Sequence, residues 1–146
     1  MLIYEEKVPA SYRAEFIAKV KEISKKLGIN PNWLMQVMYW ESAGTFSPSV
    51  KNPNGSATGL IQFIESTAEW LGTSTYALSQ MTAVEQLDYV YEYYRRYKSN
   101  LKNYIDLYLT TFYPAAVGKP RNYILGNTEA RIAQIAAHNP AFDNNN

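Results

Sequence analysis

Apolar residues recur every three and four positions along most of this chain, a spacing that predicts amphipathic helices and a mainly α protein. The first helix is predicted over residues 12–27, because Gly28 follows its last apolar position. A second is predicted over residues 31–43, since Asn30 can cap it, proline suits its first position and Gly44 is a natural exit. Both helices therefore have local start and stop signals.

The middle of the chain alternates between loops and shorter helical patterns. Residues 45–59 are rich in Ser, Pro, Asn and Gly, which is typical of a loop, and the Asn-Gly pair within them allows a small β-ribbon. A short helix follows, with Ile64 or Ser66 near its start and Gly72 at its end. Residues 73–81 are then predicted to form a turn.

Three further helices are predicted in the second half of the chain. Residues 82–100 carry an apolar stripe and are expected to form the longest helix. Residues 104–113 form a strongly apolar helix that Pro114 should end. Residues 127–138 begin with an acidic first turn, which is typical of a helix start. The total is about six to eight helices, with no strand beyond the ribbon.

Length and composition narrow the function class. A chain of 146 residues supports one domain, which we expect over residues 1–140, with a tail or the start of a linker over residues 141–146. The absence of cysteine excludes a disulfide frame and a thiolate metal site. A net charge of +1 argues against nucleic acid and acidic lipid as partners. No apolar run reaches the roughly 20 residues of a membrane span, and the N-terminus lacks a signal-peptide pattern.

One carboxylate stands at the end of an otherwise apolar helical pattern. Glu41 follows Leu34, Val37 and Met38 at helical spacing, so the second helix should turn it toward the same face. Loss of hydration and the negative pole of the helix end would both raise the pKa of its carboxyl group, which suits a general acid. Helix position alone favours a plainer alternative, namely an ion pair with Lys or Arg or a solvated helix end.

Three stretches of sequence change that balance. Glu41-Ser42, the loop sequence FSPS and the stretch GSATGLIQFIESTA ending at Ala68 together resemble the lysozyme-like lytic transglycosylase domain of bacteria and phages, which is related to goose-type lysozyme. Further along, LYLTTFYPAAVG is similar to that family's Ala-Tyr-Asn-Ala-Gly segment, with Tyr113 at the tyrosine and Pro114 in place of the asparagine. The resemblance runs in order along nearly the whole chain.

The resemblance implies a lysozyme-like fold with the loop or ribbon beside an active-site cleft, and peptidoglycan glycan strands as the substrate. Glu41 would protonate the oxygen of the β-1,4 bond between N-acetylmuramic acid and N-acetylglucosamine. It would then act as a base while the muramic 6-hydroxyl closes a 1,6-anhydro ring. One carboxylate suffices for this lyase reaction, whereas ordinary glycosidases use two. Neither a metal nor a cofactor is implied.

Four other residues are candidates for substrate binding: Ser42, Gln62, Phe63 and Tyr113. Ser42 either contacts the sugar or Glu41, or bonds to the backbone at the helix end, and both alternatives stay open. Gln62 has apolar neighbours, which make an idle amide costly and favour a role in the site. Phe63 is more typical of a core residue than of a sugar platform. By resemblance, Tyr113 would hydrogen-bond near the bond that is cut.

Two other functions stay open. A hydrolase of the goose-type lysozyme kind would use a second acid such as Glu65 to direct water, although Ile64 stands where those lysozymes have an aspartate. A non-catalytic wall-binding module would belong to a larger phage or secretion protein. The expected site of action is the periplasm or cell wall, and the missing leader pattern keeps phage or virion association as one route.

The remaining polar groups are expected to have structural roles. His138 is the single histidine and lies near a predicted helix end, which argues against a zinc site and favours a helix-capping role. Arg95, Arg96 and Lys98 are expected to form a solvated face, with contact to anionic wall polymers as the alternative.

Overall fold

The structure is a computed structural model that describes residues 1–112 of the chain. Cα packing divides the chain into two units, Met1–Arg96 and Tyr97–Asn146. The described residues contain six α-helices, which we label α1 (Arg13–Leu27), α2 (Pro31–Glu41), α3 (Glu65–Trp70), α4 (Thr75–Ser79), α5 (Ala83–Tyr94) and α6 (Tyr104–Phe112). Two 3₁₀ helices span Glu5–Lys7 and Arg95–Asn100. The predicted mainly α class is confirmed.

Helix α1 forms the centre of the first unit because it packs against both α2 and α5. Its buried face consists of six residues at helical spacing, namely Phe16, Ile17, Val20, Ile23, Ser24 and Leu27. Gly28 ends it in the left-handed conformation with φ 72°, as the sequence predicted.

Helix α2 begins as predicted and ends two residues earlier than predicted. The Asn30 side chain accepts a hydrogen bond of 2.9 Å from the Asn32 amide, and Pro31 occupies the first helical position. We expected the helix to reach Ala43, but its last residue is Glu41. The reason is that Ala43 and Gly44 both have positive φ, 55° and 78°, so the α-helical hydrogen bonds cannot continue.

The segment between α2 and α5 differs from the prediction in two places. The predicted β-ribbon is reduced to single bridges that pair Thr58 with Lys51 and with Phe63. Helix α3 begins directly after Ile64, close to the predicted start. The predicted turn at residues 73–81 instead contains the short helix α4, because the Ser74 hydroxyl accepts a hydrogen bond of 3.0 Å from the Ala77 amide and caps it.

Helix α5 is shorter than the predicted helix over residues 82–100. It starts with a reciprocal capping box between Thr82 and Glu85 and ends at Tyr94, after which the chain continues as a 3₁₀ helix. With 12 residues it is shorter than α1, which has 15, so the expectation that it is the longest helix was wrong among the described residues. The apolar stripe is confirmed by the burial of Leu87 and Val90.

In the second unit the structure describes residues 97–112. Helix α6 buries Tyr104, Leu107, Leu109 and Thr110. Pro114 and the helix predicted at residues 127–138 lie outside the described residues. Among residues 1–112, none of the helices combines the length and apolarity that a bilayer crossing needs.

Candidate functional site

Glu41 is the last residue of α2 and lies at the edge of the core. Leu34, Val37 and Met38, which share its helical stripe, are fully buried, whereas Glu41 itself is partly exposed. A carboxylate in this position is held by a rigid apolar helix and still has surface available to a ligand.

The loop that follows Glu41 is tied together by Ser42. The Ser42 hydroxyl accepts a hydrogen bond of 2.8 Å from the Phe46 amide, and the Ser42 carbonyl accepts one of 2.6 Å from the Thr45 hydroxyl. Ser42 is fully buried. Of the two alternatives for this residue, the structure therefore supports bonding to the backbone, with the side chain supporting the loop from inside.

Phe46 anchors the far end of this loop in an unusual backbone conformation. Its φ is 50°, which a residue with a side chain adopts only at a cost. The ring is fully buried and packs edge-on against Phe16, with 5.8 Å between ring centroids. Its carbonyl accepts a hydrogen bond of 2.8 Å from the Tyr12 hydroxyl. Packing and hydrogen bonds together hold the conformation.

Gln62 lies in a tight turn that is closed by two hydrogen bonds between Thr58 and Phe63, of 3.0 and 2.8 Å. Its φ is 56°, again rare for a residue other than glycine. Its Nε2 donates to the carbonyls of Val50 and Gly59, both at 3.1 Å. Within residues 1–112 no hydrogen bond is found at its Oε1, so the partly exposed amide offers an acceptor to a ligand.

Phe63 is a core residue. Its side chain is 2% exposed, which leaves almost no ring surface for a sugar to stack on. The structure thus agrees with the core alternative for Phe63. Tyr113, the remaining candidate, lies outside the described residues.

The structure also identifies a residue that sequence reasoning missed. Gln86 of α5 is fully buried, and its Oε1 accepts a hydrogen bond of 2.8 Å from the Leu60 amide. Its Nε2 donates to the carbonyls of Pro48 and Leu78, both at 2.9 Å. One amide thereby joins three segments of chain. The available signal was an amide next to Leu87 on an apolar helical face, where it must be hydrogen-bonded.

Gly59 is required because of Gln86. A Cβ at position 59 would lie 2.3 Å from the Oε1 of Gln86, closer than van der Waals contact allows. The φ of Gly59 is 86°, which also excludes most side chains. The glycine of the Gly-Leu-Ile-Gln sequence therefore allows the turn to lie close to α5.

Glu65 has a structural partner. Its Oε1 accepts hydrogen bonds from the amide and the hydroxyl of Thr75, at 2.8 and 3.2 Å, and so links α3 to the start of α4. A carboxylate engaged in this way is less suited to direct a water molecule. Both hydrogen bonds are accepted by the same carboxyl oxygen, so Glu65 has a structural role at this junction.

The predicted basic face is exposed, as expected for Arg95, Arg96 and Lys98. Arg95 pairs with Glu92 at 2.8 Å, and the Arg96 guanidinium lies 3.5 Å from the centroid of the Trp70 ring. In the part of the chain that the structure describes, no group of three or more potential ligands could hold a metal ion. His138 lies outside that part.

A family model described as the transglycosylase SLT domain matches residues 19–105, which is more than half of the chain. The matched region includes Glu41, Ser42 and Gln62 and leaves out Tyr113. No match was found among curated proteins or among solved structures.

Proposed function

This chain belongs to the transglycosylase SLT domain family, the lysozyme-like lytic transglycosylases that act on peptidoglycan in the cell wall or periplasm, and from this membership we propose that Glu41 is its catalytic acid and base. The observation that carries the proposal is the position of Glu41. It is a partly exposed carboxylate at the end of an apolar helix, within the matched region, and its following loop is fixed by hydrogen bonds.

The proposed reaction cuts the β-1,4 bond between N-acetylmuramic acid and N-acetylglucosamine. Glu41 gives its proton to the bridging oxygen, and the C1–O bond breaks to release the 4-hydroxyl of N-acetylglucosamine. The N-acetyl group of the muramic residue supports the positive charge at C1. The Glu41 carboxylate then takes the proton of the muramic 6-hydroxyl as that oxygen bonds to C1. The products are a 1,6-anhydro-muramic end and a regenerated acid, without consumption of water.

Gln62 is proposed to bind the sugar through its Oε1. Because Nε2 is occupied by the carbonyls of Val50 and Gly59, the amide can act toward a ligand as an acceptor, and its natural partner is a hydroxyl or an N–H of the glycan. Ser42 would contribute indirectly by holding the loop after Glu41. For Tyr113, a hydrogen bond near the scissile bond stays a proposal that rests on sequence resemblance alone.

The decisive experiment is digestion of purified sacculi, with the released muropeptides weighed by mass spectrometry. Anhydro products are lighter than hydrolysis products by one water. A parallel digestion in heavy-oxygen water separates the alternatives independently, because a hydrolase would introduce the heavy isotope and the proposed lyase would not. Reducing ends carrying heavy oxygen would refute the lyase and favour the hydrolase.

The catalytic role of Glu41 is tested by Glu41→Gln, which keeps the shape of the side chain and removes its proton. We expect the rate to fall by at least about 10² to 10⁴, the range typical for loss of general acid–base catalysis. Glu65→Gln is the matched control and should retain most activity. Undiminished lysis by Glu41→Gln would refute the assignment of Glu41. Wall binding without lysis by the wild type would instead favour a non-catalytic wall-binding module.

The setting of the domain is also proposed. We propose that residues 1–140 form the domain and that it is part of a larger phage or secretion protein, because such a protein would deliver the domain to the wall. Detection of the chain in purified virions or in secretion complexes, by mass spectrometry of their components, would test this setting.

A further inference from the structure

The N-terminal segment, residues 1–18, precedes the region that the family model matches, yet it contacts the loop that follows Glu41. The Tyr12 hydroxyl donates a hydrogen bond of 2.8 Å to the carbonyl of Phe46, 34 positions away. Tyr4 stacks on Tyr39 with ring centroids 3.8 Å apart and an interplanar angle of 8°. Two aromatic residues of this segment therefore support the end of α2 and its loop.

We infer that Tyr12 is a positioning residue for the reaction: its hydroxyl fixes Phe46, and through Phe46 and Ser42 it sets the position of the Glu41 carboxylate. The inference rests on the proposed function of Glu41. It assigns a role in that function to a segment outside the family match.

Phe46 is held at both of its main-chain polar groups. Its amide donates to the Ser42 hydroxyl and its carbonyl accepts from the Tyr12 hydroxyl, each at 2.8 Å. With φ at 50°, Phe46 has a backbone conformation that it would leave if these partners were removed. The Tyr12 hydroxyl is thus one of two polar contacts that keep the residue in place.

Phe46 is connected to Glu41 by a short path through Ser42. Ser42, which receives the Phe46 amide, is the residue after Glu41, and its own amide bonds to the Met38 carbonyl at 2.9 Å in the last turn of α2. A shift of Phe46 would therefore be passed to the terminal residue of the helix. Small displacements of a catalytic group lower the chemical rate more than they weaken substrate binding.

The Tyr12 hydroxyl is well suited to donate this hydrogen bond. Burial raises the pKa of the Tyr12 hydroxyl above its ordinary value, so the group stays protonated, and able to donate, at neutral pH. Tyr12 also lies near Phe16 of the core, with 6.1 Å between ring centroids, which orients the phenol. Replacement by phenylalanine would keep this packing and remove only the donor.

The test compares Tyr12→Phe with Tyr76→Phe, a matched deletion on a ring that is 72% exposed in α4. Rates are measured on sacculi with variants shown to be folded at the assay temperature. For Tyr12→Phe we expect kcat to fall about tenfold and KM to change less than about twofold, as a misplaced catalytic group requires. Tyr76→Phe should leave both constants unchanged. A wild-type kcat in folded Tyr12→Phe would overturn the inference.

A second readout separates positioning from general loss of structure. The carboxyl signal of Glu41, observed by NMR with labelled glutamate and assigned by its loss in Glu41→Gln, should move in Tyr12→Phe and stay in Tyr76→Phe. A lower kcat with an unmoved signal would contradict the inference, because the effect would then not act through Glu41. Activity retained by Glu41→Gln would instead refute the proposed function, whatever Tyr12→Phe does.

Discussion

Two segments bound the chain between Glu41 and Gln62, and they are held in different ways. The loop at residues 42–46 contains two residues other than glycine with positive φ, Ala43 at 55° and Phe46 at 50°, and the turn at residues 58–63 contains one, Gln62 at 56°. Hydroxyls of three separate residues hold the loop, namely Ser42, Thr45 and Tyr12. The turn is closed by main-chain hydrogen bonds and by the Gln62 amide, and one buried side chain, that of Gln86, joins it to α5.

The two segments differ in how many hydrogen bonds they lose when one side chain is removed. Loss of one hydroxyl leaves the loop with the others, so its geometry should relax only in part. Loss of the Gln86 amide leaves the Leu60 amide and the Pro48 carbonyl without a partner, and unsatisfied buried groups cost more than the hydrogen bonds themselves contribute. The Leu78 carbonyl keeps the Met81 amide at 3.2 Å. The turn should therefore be the more sensitive segment for stability, and the loop the more sensitive for catalysis.

The largest expected effect is on stability, from Gln86→Leu. The amide of Leu60 and the carbonyl of Pro48 would be left buried without a partner, and the carbonyl of Leu78 would lose one of its two donors. We expect the free energy of unfolding to fall by about 4 kcal/mol. Urea denaturation measures this, and failure to fold agrees with it. The same substitution at exposed Gln80 should cost less than about 0.5 kcal/mol. A loss below about 1 kcal/mol for Gln86→Leu would remove the contrast between the segments.

Gly59→Ala is expected to have the next largest effect. A Cβ would collide with the Gln86 amide and would also have to adopt positive φ, which together should cost about 2 to 4 kcal/mol. Gly72→Ala is the matched control, because Gly72 has φ 84° and nothing within 4 Å of the added Cβ. It isolates the backbone cost, about 1 kcal/mol.

A double-mutant cycle sharpens this prediction. In a Gln86→Ala background the collision disappears, so the further cost of Gly59→Ala should fall toward that of Gly72→Ala. If the two costs simply added, close approach would not be the reason for the glycine.

Ser42→Ala should have a moderate effect on stability. The buried Phe46 amide would lose its acceptor while Tyr12 still holds the carbonyl, and we expect a loss of about 1 to 2 kcal/mol in urea denaturation. Activity measured on the folded variant should fall, because the loop after Glu41 is released. Ser66→Ala on the exposed side of α3 serves as the control, with a change within about 0.5 kcal/mol. An equally small change for Ser42→Ala would show that the loop holds without its serine.

The smallest expected effect is a pH dependence in alkaline solution. The pKa of the Tyr12 hydroxyl is raised in the folded state above the ordinary value of 10.0. The associated stability is therefore complete below about pH 10 and is lost as pH rises through the folded pKa. Between about pH 9 and 11, Tyr12→Phe should lose stability less steeply than the wild type. Burial also raises the pKa of Tyr4, so Tyr12→Phe should keep part of the dependence of stability on pH. Identical slopes of stability against pH for the wild type and Tyr12→Phe would contradict the prediction.

Local signals in the sequence predicted much of the first unit. Asn30, Pro31 and Gly28 marked helix ends that the structure confirms. The predicted end of α2 was wrong because Ala43 adopts positive φ, a conformation that an alanine side chain does not favour. The short helix α4 was missed because a five-residue element gives little periodicity.

The sequence selected a candidate catalytic residue, but it did not reveal the buried side chains that hold the segments around it. Helical spacing and sequence resemblance together selected Glu41, and its raised pKa stays a prediction. The role of Gln86 depends on partners 26 and 38 positions away, at Leu60 and Pro48, and such pairings are set by tertiary packing. For Ser42, the sequence offered two alternatives that only burial could distinguish.

The loop tip between Lys51 and Thr58 bears on how this domain can change over evolution. Residues 51–56 are exposed, and two main-chain hydrogen bonds close the base of the tip. The Asn52 amide donates to the Ala57 carbonyl at 3.1 Å, and the Gly59 amide donates to the Val50 carbonyl at 2.8 Å. Each doubling of a flexible loop costs only about 0.6 kcal/mol. Insertions at the tip would thus lengthen the loop while Gln62 keeps its carbonyl partners, which makes the tip a natural place for related sequences, or for engineers, to vary length.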